Sequence, residues 1–144
     1  MIRSPQTDAE WQAYFKLRYD VLRAPWGQAI GSEQTADEKL HQHFAFFNDE
    51  NHITGVGRLD SVSAQTAQIR FMAVAENQQG KGIGKALMEE MESVSKAAAC
   101  AQIILHAREI ALPFYQKLGY RLDAPSHLLF GEIQHFLMHK TLVV

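Results

Sequence analysis

The sequence predicts an α+β fold, a mixed α/β sandwich in which one mixed sheet carries helices on both faces. The 144 residues suit about one domain. Hydrophobic residues make up 47% and charged residues 21%, as in ordinary globular proteins. Apolar patterns follow one another along the chain as helix, three strands, helix, strand, helix and two strands. We therefore predict one domain over residues 1–144.

The first predicted elements are a short strand at residues 2–3 and an amphipathic helix over residues 8–23. Thr7 followed by Glu10 has the form of a capping box at the start of this helix. Its apolar side chains recur at roughly helical spacing: Trp11, Tyr14, Phe15, Val21 and Leu22. The breaker sequence at residues 25–27, Pro-Trp-Gly, should end it.

Three strands are predicted next, after a polar, acidic loop with a short helix over residues 28–40. Residues 44–47 and 53–62 form the first two strands, joined by a hairpin turn at residues 48–51. The third strand covers residues 65–75. Its alternation is predicted to place three side chains on one face: Ile69, Phe71 and Ala73.

The remaining elements follow a glycine-rich turn. The next helix carries an apolar stripe of Leu87, Met91, Val94 and Ala98. A buried strand at residues 102–107 and a short helix at 109–118 follow, and Gly119 suits the left-handed position after that helix. Residues 120–142 should form two strands that turn at residues 125–126.

Composition excludes several classes of protein. A net charge of -2 leaves no basic excess for a nucleic-acid partner. The single cysteine, Cys100, cannot form an internal disulfide and is predicted to be a small buried hydrophobe. Apolar stretches fall far short of the roughly 20 residues that span a bilayer, and residues 1–5 lack the apolar segment of a signal peptide. We therefore expect a cytoplasmic protein without a membrane partner.

The most informative segment is the glycine-rich turn between a strand and a helix. Its residues are Gln79, Gly80, Lys81, Gly82, Ile83, Gly84 and Lys85. Glycines let a backbone turn sharply and approach a ligand closely, and a helix N-terminus offers free N–H groups and a positive dipole end. The segment therefore predicts a diphosphate site, with Lys81 and Lys85 supporting the phosphate charge.

Three phosphate-binding patterns compete for this segment. The dinucleotide pattern Gly-x-Gly-x-x-Gly fails because Lys85 stands where its third glycine belongs. The P-loop fails because Gln79 replaces its first glycine and Ala86 its Ser or Thr. The pattern Gln/Arg-x-x-Gly-x-Gly/Ala is met by Gln79, Gly82 and Gly84.

That third pattern resembles the acetyl-CoA motif of the GNAT superfamily of N-acetyltransferases. The resemblance extends upstream to the segment 70–74, Arg-Phe-Met-Ala-Val, which is similar to the family strand whose splayed edge pairs with pantetheine. It extends downstream to segment 111–120, Ala-Leu-Pro-Phe-Tyr-Gln-Lys-Leu-Gly-Tyr, which is similar to the family's Ala-x-x-Phe-Tyr-x-x-x-Gly-Phe/Tyr. Two motifs in the correct order, with a strand between them, are far more specific than either alone.

The resemblance implies a mostly antiparallel sheet with a splayed central strand pair near Ala73 and Ile104. It implies that acetyl-CoA binds to the glycine-rich turn and along Met72, Ala73 and Val74. Tyr115 takes the position of the family's general acid, and a phenol with a pKa of about 10 stays protonated at neutral pH. Many members carry Asn seven residues before this tyrosine; Arg108 stands there instead. The resemblance still places Arg108 beside the cofactor.

The general base stays open at this stage. The candidates are Glu132, His127, His135, Asp37, Glu38 or an ordered water. Arg18 and Arg23 on the first helix could reach the acceptor pocket. His41 and His43 have the spacing of a metal pair, but no further ligand completes a site, so no metal is predicted.

The predicted function is transfer of an acetyl group from acetyl-CoA to a primary amine of a small molecule or protein, by direct attack on the thioester. The alternatives are a non-catalytic acyl-CoA-sensing module and an unrelated nucleotide-binding α/β protein. A monomer and a homodimer are both open. The acidic residues Glu33, Asp37 and Glu38 suggest a negative rim that would attract a cationic acceptor.

Overall fold

The structure, a computed structural model, describes residues 1–142, in which seven strands form one sheet and three α-helices flank it. The strands are β1 (Ile2–Arg3), β2 (Gln42–Phe47), β3 (Ile53–Ser61), β4 (Thr66–Val74), β5 (Gln102–Arg108), β6 (Arg121–Leu129) and β7 (Ile133–Thr141). The helices are α1 (Asp8–Leu22), α2 (Ile83–Ala97) and α3 (Leu112–Lys117). Residues 143 and 144 of the predicted domain lie outside the described residues. No helix within residues 1–142 is both long and apolar enough to cross a membrane.

The strand order is β1-β2-β3-β4-β5-β7-β6, and every neighbouring pair is antiparallel except β4 and β5. This parallel pair is hydrogen-bonded only from Thr66 opposite Gln102 to Ile69 opposite Leu105. The strands have no paired residues beyond that point, so the centre of the sheet opens. Ala73 lies in the opened part as predicted, whereas Ile104 is still paired with Gln68. The opening on β5 therefore begins later than the sequence predicted.

The helices cover opposite faces of the sheet, as predicted. Helix α1 packs on the face that buries Tyr14, Phe47, Val56 and Ala73. Helices α2 and α3 pack on the other face, over a larger core that includes Leu87, Met88, Met91, Ile103, Leu105 and Met138. Cys100 is buried at this second core, as predicted.

Two glycines of β3 let α2 lie directly against the sheet. A Cβ atom at Gly55 would fall 2.6 Å from Cγ2 of Ile83 and 2.9 Å from Cδ1 of Leu87. A Cβ atom at Gly57 would fall 2.9 Å from both Sδ of Met72 and Cε of Met91. The close approach of α2 therefore depends on glycine most strongly at Gly55, because the methionine ends beside Gly57 can move.

A β-bulge in β4 changes which side chains face α1. Val56 pairs with Ala73 but Arg58 pairs with Arg70, so β4 contains one extra residue here. Phe71 has a positive φ of 56°, which is rare for a residue with a large side chain. Ile69 consequently belongs to the α2-side core and Ala73 to the α1-side core. The prediction that Ile69, Phe71 and Ala73 share a face is therefore wrong.

Most of the predicted N-terminal elements are confirmed, with one change at the start of α1. Oγ1 of Thr7 accepts a hydrogen bond from the Glu10 backbone N–H at 3.1 Å, as a capping box requires. The carboxylate of Glu10 does not return to Thr7. It accepts from the Gln6 N–H at 2.8 Å and pairs with the Arg3 guanidinium at 2.8 Å.

Three predicted details of the C-terminal half are wrong. Helix α2 ends at Ala97, so Ala98 lies outside it and is exposed. The predicted helix 109–118 divides into a 3-10 turn at Glu109–Ala111 and the shorter α3. Pro125 lies inside β6 rather than at a turn, because β6 is an edge strand, where proline is tolerated. The chain turns between Leu129 and Ile133 instead.

Candidate active site

A cavity of about 410 Å³ lies where β4 and β5 separate. Its walls come from the end of α1 and the turn after it, from β4, from β5 with the start of α3, and from β6 and β7. Its lining includes Arg23, Trp26, Arg70, Phe71, Met72, His106, Arg108, Tyr115, His127 and His135. The volume is within the usual range for a small-molecule site.

Of the predicted general acid and cofactor-binding residues, Tyr115, Met72 and Arg108 line this cavity. Burial raises the pKa of Tyr115 to about 12, so its hydroxyl is protonated at neutral pH. Within residues 1–142 the structure records no hydrogen bond to that hydroxyl. A protonated donor without a protein partner therefore faces the opening between the strands.

Arg108 lies at the end of β5, in register with His135 of β7. Its guanidinium carbon lies 5.5 Å from the centroid of the Trp26 ring, on the turn that follows α1. The side chain thus crosses the cavity toward α1. Arg108 is thus longer than the Asn that many members of the resembled family carry at this position, and its side chain extends toward α1.

The glycine-rich turn lies at the N-terminus of α2, outside the cavity lining. Gly80 and Gly82 have φ of 81° and 83°, and a Cβ atom at either would meet nothing within 4 Å. The Ala86 N–H donates to the Gly82 carbonyl at 3.0 Å, so the N–H groups of the three residues between them lack helical partners. Open space beside free backbone donors fits a diphosphate group.

Side chains around this turn have partners within the protein. Nε2 of Gln79 donates to the Val74 carbonyl at 3.3 Å and Nζ of Lys81 to Oε1 of Gln78 at 3.1 Å. Nζ of Lys85 lies 3.9 Å from the Glu89 carboxylate. The Gln79 side chain therefore links the turn to the end of β4 by a hydrogen bond.

Gly84 has a packing reason to be glycine. A Cβ atom there would lie 3.2 Å from Cζ of Phe114 and 3.7 Å from Cγ2 of Val74. The Phe114 ring in turn lies 5.0 Å from that of Tyr115. The glycine-rich turn is thus connected to the cavity through α3. Of the other predicted cofactor residues, Ala73 is buried on the α1 face and Ile83 on the α2 face.

Three histidines line the cavity on its β5–β7 side. The rings of His127 and His135 are stacked with centroids 4.4 Å apart, and His106 lies 5.3 Å from His127. Burial lowers the pKa of His135 from its ordinary 6.5. The hydrogen bond to the Ile133 carbonyl acts in the opposite direction, and the nearby His127, Arg108 and His106 lower the pKa further. Burial also lowers the pKa of His106, together with His127 and Arg70. His106 and His135 are therefore neutral at pH 7.

A bulge in β6 brings His127 to this cluster. Pro125 pairs with Phe136 and Leu128 with Gln134, so β6 contains an extra residue between them. Oγ of Ser126 and Nδ1 of His106 are 2.9 Å apart across the same irregularity. Sequence reasoning missed His106, although Ile103, Leu105 and Ala107 are buried and the alternation places His106 on the opposite face.

The acidic base candidates lie elsewhere. Glu132 is exposed in the turn between β6 and β7 and does not line the cavity. Asp37 is exposed and bonds to Thr35 at 2.6 Å and to His41 at 2.9 Å. Burial would raise the pKa of Glu38, but hydrogen bonds from Arg18 and the Thr35 N–H, with the charges of Arg18 and Arg58, hold it at about 2. A carboxylate this acidic is a poor base at neutral pH.

A buried ion network explains the position of Glu38. Its carboxylate lies 2.8 Å from the Arg18 guanidinium and 3.0 Å from that of Arg58. Arg58 also pairs with Asp60 through two hydrogen bonds of 2.7 and 2.8 Å. Arg18 is completely buried in this network and does not line the cavity, whereas Arg23 does.

The predicted negative rim is wrong. Glu38 is neutralised by two arginines, and the buried Glu33 carboxylate accepts hydrogen bonds from the Gly31 N–H and from Gln34. Glu33, Asp37 and Glu38 all lie outside the cavity lining.

His41 and His43 also belong to the network rather than to a paired site. His43 bonds to the Tyr14 hydroxyl at 2.9 Å and to the Glu38 carbonyl at 2.7 Å. His41 contacts Asp37 and lies 3.4 Å from the Asp60 carboxylate. Within residues 1–142, no group of three or more His, Cys, Asp or Glu side chains is arranged to hold a metal ion.

Comparison with known proteins agrees with this architecture. Residues 16–142 match the family described as the acetyltransferase (GNAT) domain. The uncharacterized protein YyaT of Bacillus subtilis (strain 168) is 31% identical over 142 residues, covering 96% of this chain and 94% of YyaT. YjcF of the same strain, named as an uncharacterized N-acetyltransferase, is 26% identical over 115 residues, covering 78% of this chain and 81% of YjcF.

A solved structure shares the fold. The crystal structure of an aminoglycoside 6'-N-acetyltransferase complexed with coenzyme A superposes with a TM-score of 0.83. The match covers 100% of this chain and 98% of that one at 14% identity.

Proposed function

Because this chain belongs to the GNAT family of acetyltransferases, we propose that it transfers the acetyl group of acetyl-CoA to the primary amine of a small acceptor by direct attack on the thioester. The observation that carries the proposal is the Tyr115 hydroxyl, which is protonated and has no hydrogen-bond partner among residues 1–142, in the opening between β4 and β5. A core tyrosine would normally have its hydroxyl satisfied. An unengaged donor in a cavity suits a proton donor for a reacting group.

The chain offers two sets of groups for holding acetyl-CoA. The turn from Gln79 to Lys85 would take the diphosphate on its free backbone N–H groups, because the space beside Gly80 and Gly82 is open. The unpaired edge of β4 from Met72 to Val74 would take the pantetheine arm as an additional strand-like partner. Bound in this way, acetyl-CoA supplies an activated acyl group beside Tyr115.

His135 is the base that we propose within the three-histidine cluster. Its Nδ1 lies 3.0 Å from the Ile133 carbonyl, which can only accept a hydrogen bond, so Nδ1 carries the proton. The other ring nitrogen, Nε2, then has a free lone pair when the ring is neutral. The lowered pKa of His135 keeps the ring neutral at pH 7. His135 is thereby prepared to accept a proton from an amine.

Protein groups would handle both protons of the reaction. An alkylamine with a pKa of about 10.4 is only about 0.04% neutral at pH 7, so removal of a proton is an essential step. His135 accepts that proton, the amine nitrogen forms a bond to the thioester carbonyl carbon, and the carbon–sulfur bond breaks. Tyr115 donates a proton to the departing sulfur. The acylated nitrogen gives its remaining extra proton to the Tyr115 phenolate, and His135 releases the proton that it accepted to solvent. The products are an acetamide and free CoA thiol.

Release of CoA thiol tests this proposal. The purified protein with acetyl-CoA and a panel of primary amines should produce thiol and acetylated amine in equal amounts, identified by mass spectrometry. The alternative, a non-catalytic acyl-CoA sensor, predicts saturable acetyl-CoA binding without product from any amine. The Tyr115 hydroxyl favours the enzyme, since a sensor has no use for a positioned acid.

A further inference from the structure

Three arginines from three different elements line the cavity. Arg23 lies just after α1, Arg70 on β4 and Arg108 at the end of β5. The described residues that form the lining include no aspartate or glutamate. The cavity therefore has an excess of positive charge, although the whole chain has a net charge of -2.

These arginines differ from the two that the protein neutralises. Arg18 and Arg58 share Glu38, and Arg58 also holds Asp60. Within residues 1–142, no carboxylate lies within 4 Å of the Arg23 or Arg108 guanidinium. Arg70 reaches only one, Asp60, at 3.8 Å, and Asp60 is already held by Arg58. The cavity arginines thus lack full counter-charges.

Aromatic rings orient two of these guanidinium groups. Arg70 and Arg23 lie 4.8 and 5.8 Å from the centroid of Phe71, the bulge residue of β4. Arg23 also lies 5.3 Å from the Phe130 ring. A ring over the face of a guanidinium leaves its in-plane N–H donors available to an acceptor.

The in-plane donors are only partly used. Arg23 donates from Nε to the Ser32 carbonyl at 3.2 Å and from Nη1 to the Leu22 carbonyl at 3.0 Å. These bonds hold the side chain and leave Nη2 without a partner in the described residues. Burial lowers the pKa of Arg23, the charge of Arg18 lowers it further, and Glu33 acts in the opposite direction. A guanidinium in such surroundings gains from an added anion.

We propose that the acetyl acceptor is an amine that also carries an anionic group, a carboxylate or a phosphate, and that Arg23 and Arg70 bind this group beside Phe71. This inference rests on the proposed acetyl transfer. The diphosphate of acetyl-CoA would not neutralise these arginines, because the glycine-rich turn that is predicted to bind it lies outside the cavity lining. The anion of the acceptor would fix the direction from which its amine approaches the thioester.

Matched amines test the inference. We would measure kcat/KM for β-alanine, O-phosphoethanolamine, propylamine and 1,3-diaminopropane, which present a carboxylate, a phosphate, no charge and a cation beside the reacting amine. The first two should be preferred, and the better of them identifies the anion. Arg23→Gln and Arg70→Gln should each reduce the preference over propylamine by about 10- to 100-fold. Arg23→Lys should retain part of it, and Arg121→Gln, on the exposed edge strand β6, should retain all of it.

A binding measurement separates this inference from the proposed reaction. Calorimetric titration of the CoA-saturated protein with succinate and with phosphate should show binding that weakens in Arg23→Gln but not in Arg121→Gln. Loss of all thiol release with intact anion binding would refute the acetyl transfer and leave the anion site supported. Equal use of neutral and cationic amines, unchanged by the arginine substitutions, would overturn the inference. Absence of anion binding to the wild-type protein would overturn it as well.

Discussion

The imidazole rings of His127 and His135 lie face to face, with centroids 4.4 Å apart and planes inclined by 14°. Two imidazolium ions at this separation would repel each other strongly, and Arg108 stands opposite His135 across the β5–β7 ladder. The neutral His135 ring therefore lies among groups whose positive charge would oppose its protonation, and a substrate amine could deliver its proton to this ring.

The first prediction concerns pH. His135 is active in its neutral form and its pKa lies below 6.5, so kcat/KM should fall only as the pH drops below about 6.5. His135→Gln should lower kcat by about 10²–10⁴-fold and remove this acidic decline. His52→Gln, in the exposed hairpin turn, is the control. An unchanged pH profile in His135→Gln would assign the base elsewhere.

The second prediction compares two tyrosine hydroxyls. Tyr115→Phe should lower kcat by about 10²–10⁴-fold with little change in KM for acetyl-CoA or in Tm, because its hydroxyl bonds to no group in the described part of the chain. Tyr120→Phe should lower Tm with little change in kcat. The buried Tyr120 hydroxyl donates to Glu92 at 2.9 Å, and loss of this bond costs about 1–3 kcal/mol of stability. Steady-state kinetics and thermal melting of both variants distinguish a catalytic hydroxyl from a structural one. A fully active Tyr115→Phe protein would contradict the role of general acid.

The third prediction concerns the glycine-rich turn. Gly82→Val places a side chain in the open space beside the free N–H groups and should abolish acetyl-CoA binding, whereas Gln79→Ala should weaken it less. Gly31→Val is the matched control, because Gly31 also has a positive φ, of 99°, and no neighbour within 4 Å. Calorimetric titration with acetyl-CoA measures the effect. Equal loss of affinity in both valine variants would indicate backbone strain rather than a blocked site.

The fourth prediction concerns packing of α2 on β3. Gly55→Ala should destabilise the protein by about 1–3 kcal/mol, because its Cβ atom meets Cγ2 of the β-branched Ile83 at 2.6 Å. Gly57→Ala should cost less, since it meets the flexible ends of Met72 and Met91. Urea unfolding of both variants gives the comparison. A larger loss in Gly57→Ala would show that the methionines cannot move.

The fifth prediction concerns the buried ion network. Glu38→Gln leaves Arg18 and Arg58 without their shared counter-charge and should cost about 3 kcal/mol in the free energy of unfolding. The pKa of Glu38, about 2, lies below its ordinary 4.5, so its stabilisation is present above pH 4.5 and is lost as the pH falls toward 2. Asp37→Asn, on the exposed side of the network, should change stability far less. A stable Glu38→Gln protein would mean that water compensates the two arginines.

Short-range patterns predicted the parts of the site that depend on adjacent residues. Glycine spacing, a local property, predicts the turn from Gln79 to Lys85, whereas Tyr115 is singled out by the resemblance of segment 111–120 to a family motif. The order of elements predicted the mixed sheet for the same reason. Whether these residues perform their predicted roles stays a prediction.

Features that depend on strand register could not be predicted. The bulges at Phe71 and at residues 126–127 arise from pairing between strands, and they decide which side chains enter the cavity. Neutralisation of Glu38 depends on Arg58, a partner 20 positions along the chain that no local pattern links to it. The acidic residues Glu33, Asp37 and Glu38 therefore lead to a wrong prediction of a negative rim, and no local pattern predicts the positive lining of the cavity.

The short β4–β5 ladder has a further consequence for motion. Four residue pairs join the part of the sheet formed by β1 to β4 to the part formed by β5 to β7, whereas β5 and β7 share seven. A ladder this short should open more often than its neighbours, and native-state hydrogen exchange should show faster exchange for its amides than for those of the β5–β7 ladder. Transient opening of the β4–β5 ladder, rather than diffusion through a fixed entrance, would then set the residence time of a ligand in the cavity.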